Sequence, residues 1–171
     1  MARNVEIKAR VRDRRTLFAR AQRIANSPPV EMVQDDTFFV CSNGRLKLRA
    51  FSVSEGELIF YRRDDSAAPR ESQYIVTSTA CPSELRECLA SALGECGRVR
   101  KKRILFRVGN TRIHIDEVEG LGDFMELEVV LSEDQTVVEG IATARRVMQQ
   151  LGISEQDLVE QAYIDLLQGN V

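Results

Sequence analysis

The sequence predicts an α+β fold in which many antiparallel strands build a barrel or a large curved sheet, with helices inserted between them and at the end. Two observations carry this. Segments with a two-residue apolar/polar period dominate the chain, and turn signals separate them. A few longer segments instead repeat their apolar residues at helical spacing and carry helix start and stop signals.

The first element is NVEIKARVRD, residues 4–13. Val5, Ile7, Ala9 and Val11 point one way, and Asn4, Glu6, Lys8, Arg10 and Arg12 the other. Asp13 caps a helix over residues 14–25, with Leu17, Phe18, Ala21, Ile24 and Ala25 at helical spacing. Asn26-Ser27-Pro28-Pro29 breaks it. Strands are predicted over 32–41, 45–53 and 57–63, with turns at Ser42-Asn43-Gly44 and Ser54-Glu55-Gly56. Residues 64–70 read as a loop and 73–78 as a short strand. Pro82 opens a helix over 83–95, ended by Gly97. Strands follow over 99–108, 111–118 and 124–131, the first two joined at Gly109-Asn110. A helix over 135–151 stops at Gly152. Ser154 caps a last helix, with Glu155 and Asp157 in its first turn, where the helix dipole favours acids.

A length of 171 residues fits one domain, 1–171, and 43% apolar residues suffice for a core. The net charge is only -2, from 24 basic and 26 acidic residues, which gives no reason to expect a nucleic acid or an anionic membrane as partner. The four cysteines, Cys41, Cys81, Cys88 and Cys96, match no zinc spacing and read as reduced thiols. No apolar run approaches a membrane span and no signal-peptide core is visible, so a cytoplasmic location is expected.

The polar rows of the strands share one character. Glu6, Lys8 and Arg10 lie on one face of the first, and Arg45, Lys47 and Arg49 on one face of the third. Tyr61 and Arg63 follow, then Lys101 with Arg103, then Arg112, His114 and Asp116, then Glu126 with Glu128. A single such row is most simply a solvated face. Repeated over six strands, it describes a sheet with one apolar and one densely ionic face. Either the ionic face is flat and wet, or the sheet closes and the ionic face lines a tunnel. Cations crowded inside a tunnel repel one another unless carboxylates, water or an anionic ligand compensate. Arg forks and Lys point charges suit phosphate, and Glu6, Glu126 and Glu128 are hard oxygen donors suited to Mg2+ or Mn2+.

These residues resemble a CYTH-domain protein of the triphosphate tunnel metalloenzyme superfamily, which includes class IV adenylyl cyclases and thiamine, inorganic and RNA triphosphatases. The family's N-terminal Glu-x-Glu-x-Lys strand reads here Asn4-Val5-Glu6-Ile7-Lys8, continued by Arg10. QDDTFF (34–39), GRLKLR (44–49), LIFYRR (58–63), KKR (101–103) and TRIHIDEVEGLGDFMELEVV (111–130) extend the match over nearly the whole chain. The resemblance implies a closed eight-stranded antiparallel barrel with helices packed outside, holding a triphosphate and Mg2+ or Mn2+. By position, Glu6, Glu126 and Glu128 look like the metal carboxylates. Lys8, Arg10, Arg45, Lys47, Arg49, Arg63, Lys101, Arg103 and Arg112 look like phosphate contacts, and Lys8, Arg49 and Asp116 like catalytic residues.

The implied partner is a small triphosphate-bearing molecule such as ATP, with no nucleic acid, no membrane, and a homodimer as an allowed assembly. The implied reaction is phosphohydrolysis, with cAMP formation from ATP, or binding without turnover, as alternatives. Asn4 departs from the family's first Glu and removes one charge from the metal set.

Among the remaining residues, His114 reads as a hydrogen-bonding tunnel residue and Tyr163 as packing that can also close one mouth. Asp35 and Asp36 fall on opposite faces, so only Asp36, in the row of Gln34 and Phe38, can look inward. Gly120 and Gly122 read as turn glycines.

Overall fold

The structure, a computed structural model, describes residues 2–63 and 68–169. Eight strands run β1 (Ala2–Arg10), β2 (Val30–Phe39), β3 (Arg45–Ala50), β4 (Gly56–Arg63), β5 (Arg70–Thr79), β6 (Glu95–Val108), β7 (Thr111–Val118) and β8 (Gly122–Leu131). They close into a barrel in the order β1-β5-β4-β3-β2-β6-β7-β8, and every neighbouring pair is antiparallel. The helices are α1 (Arg14–Ile24), α2 (Pro82–Leu93), α3 (Val137–Leu151) and α4 (Tyr163–Gln168), with a 3₁₀ turn over Glu155–Asp157. The predicted α+β class and barrel closure are therefore both present.

The apolar core lies outside the barrel. The outward row of β1 (Val5, Ile7, Ala9) joins Phe106, Ile113, Ile115, Met125, Leu127 and Val129. This surface is covered by Leu17 and Ala21 of α1 and by Ala144, Val147, Met148 and Leu151 of α3. Phe18 meets Phe106 edge to face, with ring centres 5.2 Å apart. The local sequence sets both helices in place. Asp13 accepts the Thr16 backbone N–H at 3.0 Å, and Thr136 with Glu139 forms a reciprocal capping box at the start of α3. Gly140 lets α3 sit on β1, because a Cβ there would lie 2.7 Å from Val5 and 2.8 Å from Leu131. Gly152 ends the helix in the left-handed region at φ 70°.

A second apolar cluster seals one end of the barrel. Phe38, Val99, Val118 and Phe124, all from inward rows, pack against Ala162, Tyr163 and Ile164 of α4 and its lead-in. The chain between the 3₁₀ turn and α4 runs beside β1, where the Val159 N–H donates to the Lys8 carbonyl at 2.8 Å.

Three expectations need correction. The last helix is broken: Ser154 and Asp157 cap only a single 3₁₀ turn, and α4 starts at Tyr163, because residues 158–161 follow β1 instead of coiling. The helix opened by Pro82 ends at Gly94 rather than Gly97, since Glu95 already pairs with Phe39 in the sheet. The strand expected over 73–78 begins at Arg70, which pairs with Glu6 of β1. Residues 64–67 of the expected loop lie outside the described residues. The cysteines are free; Cys81 immediately precedes α2 without capping it, Cys88 lies within it, and Cys96 is on β6.

Candidate active site in the barrel lumen

Strand alternation that sends aliphatic residues out to α1 and α3 sends charges in. The lumen is a cavity of about 160 Å³. Among the described residues, its lining carries seven basic side chains (Lys8, Lys47, Arg49, Arg63, Lys101, Arg103 and Arg112) against five carboxylates (Glu6, Asp36, Glu57, Glu126 and Glu128). The excess of positive charge in a low-dielectric enclosure is what a polyanion needs.

The carboxylates organise the cations. Asp36, 1% exposed, accepts from Arg49 through both oxygens, at 2.7 and 2.8 Å. It also accepts from Lys47 at 2.9 Å and Lys101 at 3.4 Å. Burial opposes its ionisation, yet Arg49, Lys101 and Lys47 overcome that and hold its carboxyl well below the usual range. One buried anion on β2 thus fixes three cations from two strands, β3 and β6.

On the same strand as Lys101, Arg103 forks onto Asp116 at 2.7 and 2.6 Å and also bonds Glu126. Glu126 faces Lys8 at 3.3 Å. Burial works against its charge, but Lys8 and Arg103 keep Glu126 well below the ordinary carboxylate range. Glu6 accepts from Arg63 at 2.5 Å and stands 3.6 Å from Arg70.

The lysines respond in the opposite sense. Burial brings Lys8 down to about 8, against the pull of Glu126. The Lys8 ammonium also donates to the Gln161 carbonyl at 3.1 Å and sits 3.9 Å from the Tyr163 ring centre. Burial, helped by Arg49, brings Lys47 down to about 7.

The structure gathers most of the sequence-predicted residues, but four stand apart from the lining. Arg10 shares the inward row of β1 but lies at the exposed end of the strand, over the Phe124 ring at 5.0 Å, beyond the plug. Arg45 is likewise at the plugged end, forked onto Asp165 of α4 at 2.9 and 2.8 Å. Asp116 is fully buried and engaged by Arg103 and by the Tyr163 hydroxyl at 2.9 Å, so it positions Arg103 and does not meet the cavity. His114 is the cross-strand partner of Glu126 on β7; burial, with Arg103, pushes its pKa well below the usual histidine value.

Asp36 is the residue the sequence motifs do not single out, although its parity places it inward. Sequence reasoning misses Arg70 altogether by assigning it to a loop.

The oxygen donors fit a divalent cation. Glu6 and Glu128 are register partners on β1 and β8, two carboxylates side by side. Burial raises the Glu128 pKa, with Glu6 and Glu126 adding repulsion against the opposing pull of Arg112 and Arg103. The buried Oδ1 of Asn4 has no hydrogen-bond partner among the described residues. A hard cation would relieve the repulsion and use that oxygen. Among the described residues, no three Asp, Glu, His or Cys groups already converge tightly enough to grip an ion unaided.

Comparison with solved structures reproduces the architecture. A protein of Pyrococcus horikoshii superposes with TM-score 0.85 at 23% identity, covering 95% of this chain and 98% of its own. A candidate adenylate cyclase of Vibrio parahaemolyticus gives 0.76 at 19%, covering 96% and 97%. A Hippeastrum protein, described as an adenylyl cyclase with dominant triphosphatase activity, gives 0.66 at 14%, covering 99% and 96%. No curated protein sequence matches the chain. No helix among the described residues is long and apolar enough to cross a membrane. The family model of the CYTH domain matches residues 2–163, nearly the full length, and with the closed, charge-lined barrel it establishes that this chain belongs to the CYTH family.

Proposed function

We propose that the protein is a divalent-metal-dependent phosphohydrolase that binds an extended triphosphate in its lumen, with Mg2+ or Mn2+ as the ion. The observation that carries this reading is the convergence of Lys47, Arg49 and Lys101 on Asp36, beside Lys8 and Arg103 on Glu126. The two groups of cations meet on β6, where Lys101 and Arg103 share one inward row, so a chain of phosphates laid along them meets positive charge along its length.

The chain's own residues then act as follows. Lys47, Arg49 and Lys101 take phosphate oxygens and hold the leaving portion, their positions preset by Asp36. Arg103, locked by Asp116, offers guanidinium N–H groups to the charge that develops on the phosphoryl oxygens. Lys8, brought to about 8 by burial, has a neutral fraction near neutral pH and is the basic side chain suited to orient and deprotonate an attacking water. Glu6, Glu126, Glu128 and the Asn4 carbonyl would hold the ion, which supplies Lewis-acid stabilisation of phosphate oxygens when bound.

Cyclisation of ATP uses the same phosphate grip and remains the second reading, favoured by the family the barrel belongs to. Product analysis with ATP and Mg2+ or Mn2+ tests both. ADP with phosphate is expected. cAMP with pyrophosphate would establish the cyclase instead, and tight binding without any product would establish a binding module.

A further inference from the structure

The lead-in to α4 and its first residue close on Lys8 at three points. The Val159 N–H donates to the Lys8 carbonyl at 2.8 Å, and the Gln161 carbonyl accepts from the Lys8 ammonium at 3.1 Å. The Tyr163 ring centre stands 3.9 Å from that ammonium. Glu126, at 3.3 Å, lies on the strand side. A lysine ammonium rides on a flexible stem and has no fixed direction of its own. Here the groups that aim it come largely from a segment outside the barrel strands.

Tyr163 is itself held at both ends of its side chain. Its hydroxyl donates to Asp116 at 2.9 Å, and its ring meets Phe124 edge to face with centres 5.1 Å apart. A helix as short as α4, six residues, does not hold itself. Arg45 holds it, forked onto Asp165 at 2.9 and 2.8 Å, while Asp165 also accepts the Ala162 N–H at 3.1 Å. Gln168 adds a bond to the Cys96 carbonyl at 2.9 Å. The Arg45 and Asp165 side chains are 28% and 33% exposed, so the clasp is near the surface while the ring it secures is buried.

We infer that Tyr163 is a positioning residue whose ring fixes the Lys8 ammonium for the reaction, and that the Arg45–Asp165 fork fixes Tyr163 in turn. For the reaction, though not for the ring contact, this rests on the triphosphate reading above. Arg45 then acts at one remove, through α4, and does not touch phosphate. The hydroxyl is the lesser part of Tyr163, because Arg103 already forks onto both oxygens of Asp116. Lys101 passes the ring at 5.2 Å, but it stands with Lys47 and Arg49 on Asp36. Loss of the ring therefore slows turnover without loosening the phosphate grip.

The test compares the whole chain with Tyr163→Leu, Tyr163→Phe and Arg45→Met. In the free protein, without metal, the Lys8 ε-methylene protons should appear upfield in the NMR spectrum, shielded by the ring, with Lys8→Arg giving the assignment. Tyr163→Leu and Arg45→Met should move that signal toward the ordinary lysine position, and Tyr163→Phe should keep it. With Mg2+ and ATP or inorganic triphosphate, Tyr163→Leu should lower kcat roughly 100-fold, as a misplacement of about 1 Å costs, and Arg45→Met about tenfold. Tyr163→Phe, which keeps the ring, should recover all but about threefold of the loss, and every variant should bind the same triphosphate in metal-free buffer within about twofold of wild type. An ordinary Lys8 signal in the wild type overturns the inference. So does a Tyr163→Phe variant as slow as Tyr163→Leu, or an Arg45→Met variant that loses affinity instead of kcat. If Tyr163→Leu does not fold, Arg45→Met at the half-exposed clasp decides. A wild type that turns over no triphosphate overturns the triphosphate reading, and the Lys8 signal still decides whether the ring holds the lysine.

Discussion

The two faces of the barrel wall are made by the same strands and do opposite work. On β1, Val5, Ile7 and Ala9 go outward into the core beneath α1 and α3, while Asn4, Glu6 and Lys8 go inward to the cavity. The outer face beneath α1 and α3 is closely packed and apolar. The inner face is crowded with charge and held together by ion pairs. Buried ion pairs contribute little net stability, because desolvation offsets their attraction. The difference teaches that this fold keeps its stability outside the barrel and its chemistry inside, one residue apart in sequence.

The sharpest way to break the outer face is Phe106→Ala. It removes a fully buried ring touching Phe18 and should destabilise the protein by about 3–5 kcal/mol. A denaturant titration reads the loss, and the fraction still folded should bind triphosphate normally. Asp36→Asn tests where the two faces meet. It leaves Lys47, Arg49 and Lys101 facing one another without their anion, so stability should fall by about 3 kcal/mol and triphosphate binding should weaken too. An unchanged melting temperature would show that the hub is not structural.

Glu126→Gln stays on the inner face. It should retain the fold and lose metal-dependent turnover by roughly 100-fold or more, the scale of one preorganised electrostatic contact. Wild-type activity in that variant would remove Glu126 from the metal set. Arg49→Ala should weaken triphosphate more than monophosphate, by about tenfold in the ratio, since it contributes to one stretch of an extended grip. Equal losses would mean that Arg49 does not sense the extended chain.

The smallest effect is one of pH. Lys47 lies near 7 in the free protein and is charged below that value. Triphosphate binds the charged form and raises its pKa, so affinity should be greatest below pH 7 and decline as pH rises from about 7 to 9. Phosphate groups, with a second pKa near 6, are already ionised across that window. Lys47→Arg keeps the charge at every pH and should flatten the profile; an equally steep slope would assign the titration elsewhere.

Alternation made the barrel legible, since parity names the face of every strand residue. It does not give height along the barrel axis. Arg10 and Arg45 have the right parity, yet each lies at the end covered by α4, and nothing in either strand marks where the cavity stops. Parity also cannot say which charges meet. Asp116 points inward but is used up by Arg103 and Tyr163, and the convergence of Lys47, Arg49 and Lys101 on Asp36 joins three strands whose pairing order is not sequential. Arg70 was hidden for another reason. It follows a polar stretch that reads as a loop, and only its pairing with Glu6, 64 residues earlier, makes it part of a strand. The breaking of the last helix has the same origin, because the segment that leaves it is captured by β1.

Closure of the eight strands has a consequence for how this molecule meets others. An open sheet offers rows of unpaired amides and carbonyls at its margins, and neighbouring chains can extend it strand by strand into dimers or fibres. Here β1 pairs with both β5 and β8, so the ring has no margin. A second copy, or any protein partner, must therefore dock through side chains on the outer wall, where its fit is set by shape and charge instead of by the backbone that every protein shares.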